Sequence, residues 1–187
     1  MAAAVARRIS ALRKAQDMTF DALARRAGVS KGTLVQIEQE RANPSISTLC
    51  RLAAALGVSV ADLVAAVPQS QNLVSLVEAG DARRLWTGPH GGSAMLLAGT
   101  RGPDMLELWQ WEMQPGERFD ASRHGRGTRE IIHVTRGRLF LEVEGQGTII
   151  AAGTTAIAST DRPHAYVNPG KSSVRFLMTV HEPATAL

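Results

Sequence analysis

The apolar residues of this chain change their spacing once, near residue 68, from a period of about 3.6 residues to a period of two. Side chains share a helix face every three to four residues and a strand face every second residue, so one layer cannot serve both parts. The 187 residues are therefore expected to form two units, a helical one followed by an all-β one. Pro68-Gln69-Ser70-Gln71-Asn72, between them, is polar, and the expected limits are a first domain at 1–67, a linker at 68–74 and a second domain at 75–187.

In the first part Val5, Ile9, Leu12 and Gln16 trace one helix. Thr19 is a suitable N-cap for a second, which turns Phe20, Leu23, Ala24 and Ala27 inward. Gly28 interrupts it, and Ser30 caps a third helix with Leu34 and Ile37 on its buried side. After the turn at Asn43-Pro44-Ser45, a fourth helix from about Ser47 carries Leu49, Leu52, Ala53 and Leu56 and stops at Gly57. Ser59 opens a short fifth helix with Leu63.

Charge divides along the same line. Residues 1–66 hold nine basic and five acidic side chains and the other 121 residues twelve of each, so the whole net charge of +4 lies on the helical part. That balance suits a polyanionic partner. All five histidines lie in the other part: His90, His124, His133, His164 and His181. Cys50 is the only cysteine, which excludes an internal disulfide. It reads as a small helix filler. No apolar run is long enough to span a bilayer, and Met1–Ala6 precede Arg7 and Arg8 in the reverse of a secretory order. The expected location is the cytoplasm, with no membrane partner.

Two short helices joined at a glycine and supported by others place one helix in a major groove. With Leu34 and Ile37 turned in, the third helix presents Lys31, Gly32, Val35, Gln36 and Gln39. Gln pairs with adenine and Lys with guanine, while an apolar side chain touches the thymine methyl. Thr19, Thr33, Arg41 and Asn43 suit phosphate contacts, and Ser30 at the helix start completes the candidate DNA-binding set.

The run Thr19–Leu34, then Ile37-Glu38, Pro44-Ser45, Thr48-Leu49 and Leu52–Val58, resembles the Cro and repressor type of helix-turn-helix, the XRE family. The resemblance covers about residues 7–65 and implies a five-helix lambda-repressor-like domain. It also implies base contacts from Lys31 and Gln36, and a homodimer on double-stranded DNA with a two-fold operator. Glu40 stands where that family usually has a glycine ending the recognition helix, so a slightly longer helix is expected here.

Beyond the linker, Met105–Met113 alternates, as do Ile132 and Val134, then Leu139, Leu141 and Val143, then Val174–Val180. Turn signals at Pro115-Gly116, Gly137, Gly145, Gly147, Gly153 and Pro169-Gly170 make this a sandwich or barrel. Glu130 shares parity with Ile132 and Val134 and must point inward, where a carboxylate needs a metal, an arginine or a ligand. His133 has the opposite parity.

Two segments resemble the motifs of the cupin family, a jelly-roll barrel. One is Gly116, Ser122-Arg123-His124, Glu130 and Gly137; the other is Gly153, Ser159, Asp161, His164 and Asn168. The overall expectation is an α + β multidomain chain whose all-β cupin barrel follows the DNA-binding domain. The family's metal set is three histidines and a glutamate. Here Ser122 replaces the first histidine, the gap from His124 to Glu130 is one residue longer, and Ser159 and Asp161 replace Pro and Gly. Two alternatives follow. His124, Glu130 and His164 hold a divalent metal, with two His and one carboxylate suiting Fe(II) and with Zn, Ni or Mn as other candidates. Otherwise the barrel is metal-free, the histidines bind a ligand directly, and Glu130 pairs with an arginine such as Arg123 or Arg175. Tyr166 joins His124, Glu130 and His164 as a candidate pocket residue, and the three tryptophans read either as pocket walls or as core.

The combined resemblance implies a transcription regulator, not an enzyme, whose barrel binds a small-molecule effector and modulates operator affinity. The alternative is a mononuclear non-haem iron oxygenase resembling hydroxypropylphosphonate epoxidase, which shares the two-domain plan and a metal set of two His and one Glu. A pure interaction module would leave the charge excess and the inward Glu130 without a purpose.

Overall fold

The computed structural model describes residues 2–64, 73–102 and 104–184. Five helices come first: α1 (Ala2–Ala15), α2 (Phe20–Ala27), α3 (Lys31–Glu38), α4 (Ile46–Leu56) and α5 (Val60–Val64). Their ends are written locally. The Thr19 hydroxyl accepts the Ala22 N–H at 3.1 Å and Ser30 accepts that of Thr33 at 3.0 Å, each satisfying a first-turn donor. Gly28, at φ 63°, closes α2 in the left-handed region that favours glycine. Helix α4 starts one residue before the expected position, because Ser45 rather than Ile46 caps it, accepting from Thr48 N–H at 3.2 Å.

The expectation of a longer recognition helix is corrected. Helix α3 ends at Glu38, Gln39 caps it, and Glu40 itself adopts φ 62°. Glu40 takes the left-handed backbone that a glycine would take, and its carboxylate lies 3.6 Å from Arg7 Nη1.

Leu23, Leu34, Ile37 and Leu52, with Ile9 of α1, are fully buried and hold α2 and α3 together. Beside them lies a closed ionic contact. Arg13 donates to both oxygens of Glu38 at 2.7 and 2.8 Å and to the Met18 carbonyl at 2.9 Å, with its guanidinium 4.1 Å from the Phe20 ring centre.

Among the described residues the second part has ten strands: β1 (Arg83–Thr87), β2 (Ser93–Gly99), β3 (Met105–Met113), β4 (Arg118–Ala121), β5 (Arg129–Arg136), β6 (Arg138–Val143), β7 (Gln146–Ala151), β8 (Thr155–Ser159), β9 (His164–Val167) and β10 (Val174–Glu182). They form a six-stranded sheet, β1-β2-β3-β10-β5-β8, and a four-stranded sheet, β4-β9-β6-β7, as a jelly roll requires. Alternation sets the inner face: Trp109, Trp111 and Met113 of β3, Phe176 and Met178 of β10, and Ile132 and Val134 of β5 are buried. Strands β1 and β2 are absent from the expectations because Arg83–Thr87 and Ser93–Gly99 carry no clean alternation.

The two parts touch. Helix α5 packs on β2, where an added Cβ at Gly99 would lie 2.4 Å from Ala61 Cβ, so only glycine admits the helix. Glu107 of β3 accepts the Ala61 N–H at 3.2 Å, and its other oxygen accepts Trp109 Nε1–H at 3.0 Å. Of the expected linker, residues 68–72 fall outside the described residues.

Candidate functional site

All eight residues of the expected DNA-binding set, Thr19, Ser30, Lys31, Thr33, Gln36, Gln39, Arg41 and Asn43, are exposed. Because Leu34 and Ile37 anchor α3, Lys31, Gln36 and Gln39 come out on its open side. Lys31 Nζ bonds Asp21 Oδ2 at 2.8 Å across α2 and α3, an exposed pair of small worth that yields to a better acceptor. Thr33 Oγ1 and Ser30 Oγ lie 2.8 Å apart at the start of α3, where unpaired backbone donors attract anions.

The barrel brings His124, Glu130 and His164 together, with one donor atom from each all within 4.8 Å of one another. Glu130 enters from β5 on the inner parity and is fully buried. His164 opens β9. His124 follows β4 in the loop 122–128, which absorbs the extra residue before Glu130. His124 Nε2 and His164 Nε2 lie 3.5 and 3.6 Å from Glu130 Oε1. Tyr166 O–H donates to the other carboxylate oxygen, Oε2.

Each group's titration follows from these contacts. Burial pushes the Glu130 carboxyl up, but the neighbouring His124, then His164 and Tyr166, hold it below its ordinary value. Burial opposes charging of His124, and the Glu130 carboxylate outweighs it, so the imidazole is raised. His164 is lowered, chiefly by burial. Burial, then Glu130, raise Tyr166 well above the usual phenol range, so it remains a donor.

The donor set fits a divalent cation. Arg162 carbonyl can only accept, so His164 Nδ1, 2.8 Å away, carries the proton and leaves the Nε2 lone pair facing the centre. Glu130 Oε1 and His164 Nε2 are both buried and have no hydrogen-bond partner among the described residues. Two orphaned acceptors beside a second imidazole, that of His124, call for a positive centre. The expected arginine partners are corrected: Arg175 sits on the outer face of β10 and bonds Glu112 at 3.2 Å, and the polar groups on Glu130 are His124, His164 and Tyr166.

A cavity of about 320 Å³ opens from this centre. Trp109, Trp111 and Tyr166 line it, whereas Trp86 packs behind Trp111 with ring centres 5.6 Å apart. Its far wall is not barrel. Arg26, Ser47, Cys50 and Arg51 of the helical part close it. The cavity's low-polarity surroundings, then the charges of Glu107, Glu182 and Glu130, push the Cys50 thiol well up, which removes it as a thiolate. Asn168 is not a site residue: its side chain donates to the Met113 and Ser172 carbonyls and accepts from Gly170 N–H. Sequence reasoning missed Arg51 and Glu107. The inner parity of β3 marks Glu107 as inward, but nothing local marks Arg51.

Comparison with known proteins agrees with both halves. Residues 9–63 match the helix-turn-helix family model and residues 109–180 the cupin domain family model. The chain is thus a Cro/repressor-type helix-turn-helix transcriptional regulator with a C-terminal cupin domain. Its relatives include the HTH-type transcriptional regulator SutR of Escherichia coli, 26% identical over 92% of this chain and 91% of that one. The HTH-type transcriptional regulator PuuR of Escherichia coli is 25% identical over 96% and 95%. A crystal structure of an HTH_3 family transcriptional regulator from Vibrio cholerae is 26% identical, covers 97% of both chains and superposes with a TM-score of 0.73. No helix among the described residues is long and apolar enough to cross a membrane.

Proposed function

We propose that this regulator binds a two-fold operator as a homodimer, in the cytoplasm, and that a small effector in the barrel changes its operator affinity. Residues 1–67 are the DNA-reading domain, 75–187 the sensing domain, and 68–74 joins them. The observation that carries DNA reading is the open side of α3, where Lys31, Gln36 and Gln39 stand exposed over a core locked by Leu34 and Ile37. Lys31 and Gln36 contact bases; Gln39 stands beside them; Thr19, Ser30, Thr33, Arg41 and Asn43 hold phosphates.

Effector binding is supported by the cavity and by the orphaned acceptors of the barrel centre that line it. His124, Glu130 and His164 are the residues to hold a divalent metal, with Fe, Zn, Ni and Mn as candidates and Tyr166 orienting Glu130. A metal so held would supply a positive centre that attracts oxygen donors. An effector modulates DNA binding only by favouring one arrangement of the two domains over another. The shared cavity wall offers that preference a route.

Fluorescence anisotropy with DNA from upstream of the protein's own gene tests the reading. Saturable, salt-dependent, sequence-preferring binding is expected, and Gln36→Ala costs about 1–3 kcal/mol at the preferred sequence with little change on unrelated DNA. Equal affinity for all sequences in both proteins refutes DNA reading by α3. Oxygen consumption by iron-loaded protein would instead favour the oxygenase alternative.

A further inference from the structure

The cavity's outer wall is made by the helical domain, and one residue in that wall is poorly served. Arg51 of α4 has a buried Nε with no hydrogen-bond partner, and its Nη1 reaches only Gly28 carbonyl, at 3.5 Å. That carbonyl belongs to the glycine that joins α2 to α3. Arginine's planar fork is built for carboxylates, and a backbone oxygen at the limit of bonding distance satisfies little of it.

We infer that the cavity takes a small organic dicarboxylate that spans the two domains. One carboxylate lies at the His124–Glu130–His164 centre, and the other pairs with Arg51 and draws it from the Gly28 carbonyl. This deepens the sensing proposal and rests on the barrel centre being the inner end of the effector site.

Four observations carry the assignment. The same cavity reaches both the triad and Arg51, so one molecule can touch both. Its lining includes the apolar side chains of Met105, Met178 and Val180, which suits a hydrocarbon spacer. Trp111 Nε1–H, in a residue only 1% exposed that lines the cavity, also has no partner among the described residues and awaits an acceptor. The charges agree. Arg26, Arg51 and Arg123 line the space against Glu107, Glu130 and Glu182. Both Glu107 oxygens are already engaged, and a divalent ion at Glu130 leaves the lining net positive. A ligand that pulls on Arg51 pulls on the turn that sets α3, so occupancy and operator affinity become linked.

The test uses full-length zinc-loaded protein and calorimetric titration with succinate, adipate and suberate, their monomethyl esters, and the α,ω-diamines of matched length. At least one dicarboxylate is expected to bind ten-fold or more tightly than its own monomethyl ester. Arg51→Gln should reduce that preference below two-fold while keeping ester affinity and zinc content, and Arg51→Lys should restore part of it. Anisotropy on upstream DNA should shift with the preferred dicarboxylate in the wild type and not in Arg51→Gln. An undiminished preference in Arg51→Gln, a diamine binding more tightly, or no dicarboxylate binding to zinc-loaded protein overturns the proposal. Failure of the wild type to take up zinc is a different result, because it removes the reading of the barrel centre itself. Far-UV circular dichroism confirms that the variants are folded, so loss of preference reports on Arg51.

Discussion

Each half of the molecule buries a carboxylate beside a cationic or ionisable partner, and the two are treated in opposite ways. In the helical half Glu38 meets Arg13 with both oxygens, and Arg13 spends a further donor on Met18 carbonyl. In the barrel Glu130 has one oxygen held by Tyr166 and the other left without a hydrogen bond, beside an equally orphaned His164 Nε2. A closed pair holds a fold together and leaves nothing to bind. An open one costs free energy that a ligand or metal recovers. Burial alone therefore does not distinguish structure from site; the count of satisfied acceptors does.

Removing one partner of the closed pair has the largest expected effect. Glu38→Ala strands the Arg13 guanidinium and should cost about 3–5 kcal/mol by chemical denaturation, with Arg13→Met/Glu38→Leu recovering most of it. A loss under about 1 kcal/mol would mean that the pair is not closed in solution. The open centre predicts the reverse pattern. Glu130→Gln should leave metal-free stability within about 1 kcal/mol while lowering zinc affinity by about 100-fold or more in a competitive chelator titration. Unchanged zinc affinity would place the metal elsewhere. The smallest effect sharpens the contrast: Tyr166→Phe keeps all three donors and frees only Glu130 Oε2, so zinc affinity should fall about 10-fold.

Much of this contrast was legible in the sequence, but unevenly. Strand parity alone turned Glu130 inward, since it keeps step with Ile132 and Val134. Caps at Thr19 and Ser30 and the stop at Gly28 are local and were readable for the same reason. Glu40 shows the limit of a family pattern. A non-glycine residue there suggested a longer helix, yet the chain turns at the same place and Glu40 bears the left-handed backbone. Arg13 and Glu38 lie 25 residues apart and their pairing is set by how α1 lies on α3. Arg51 was invisible as a cavity residue because the cavity's outer wall comes from another domain, and only the docking of α5 on β2 brings it there.

That docking also limits how such a chain can be rebuilt. Ala61 meets Gly99 with no room for another methyl group on the strand, and Glu107 takes the helix's Ala61 N–H in the same patch. A chimera that grafts a foreign reading head onto this barrel must therefore carry alanine or glycine at the position of Ala61, and a free backbone donor there. A head that brought a bulkier residue to that point would be pushed off the strand, and the cavity would lose its helical wall.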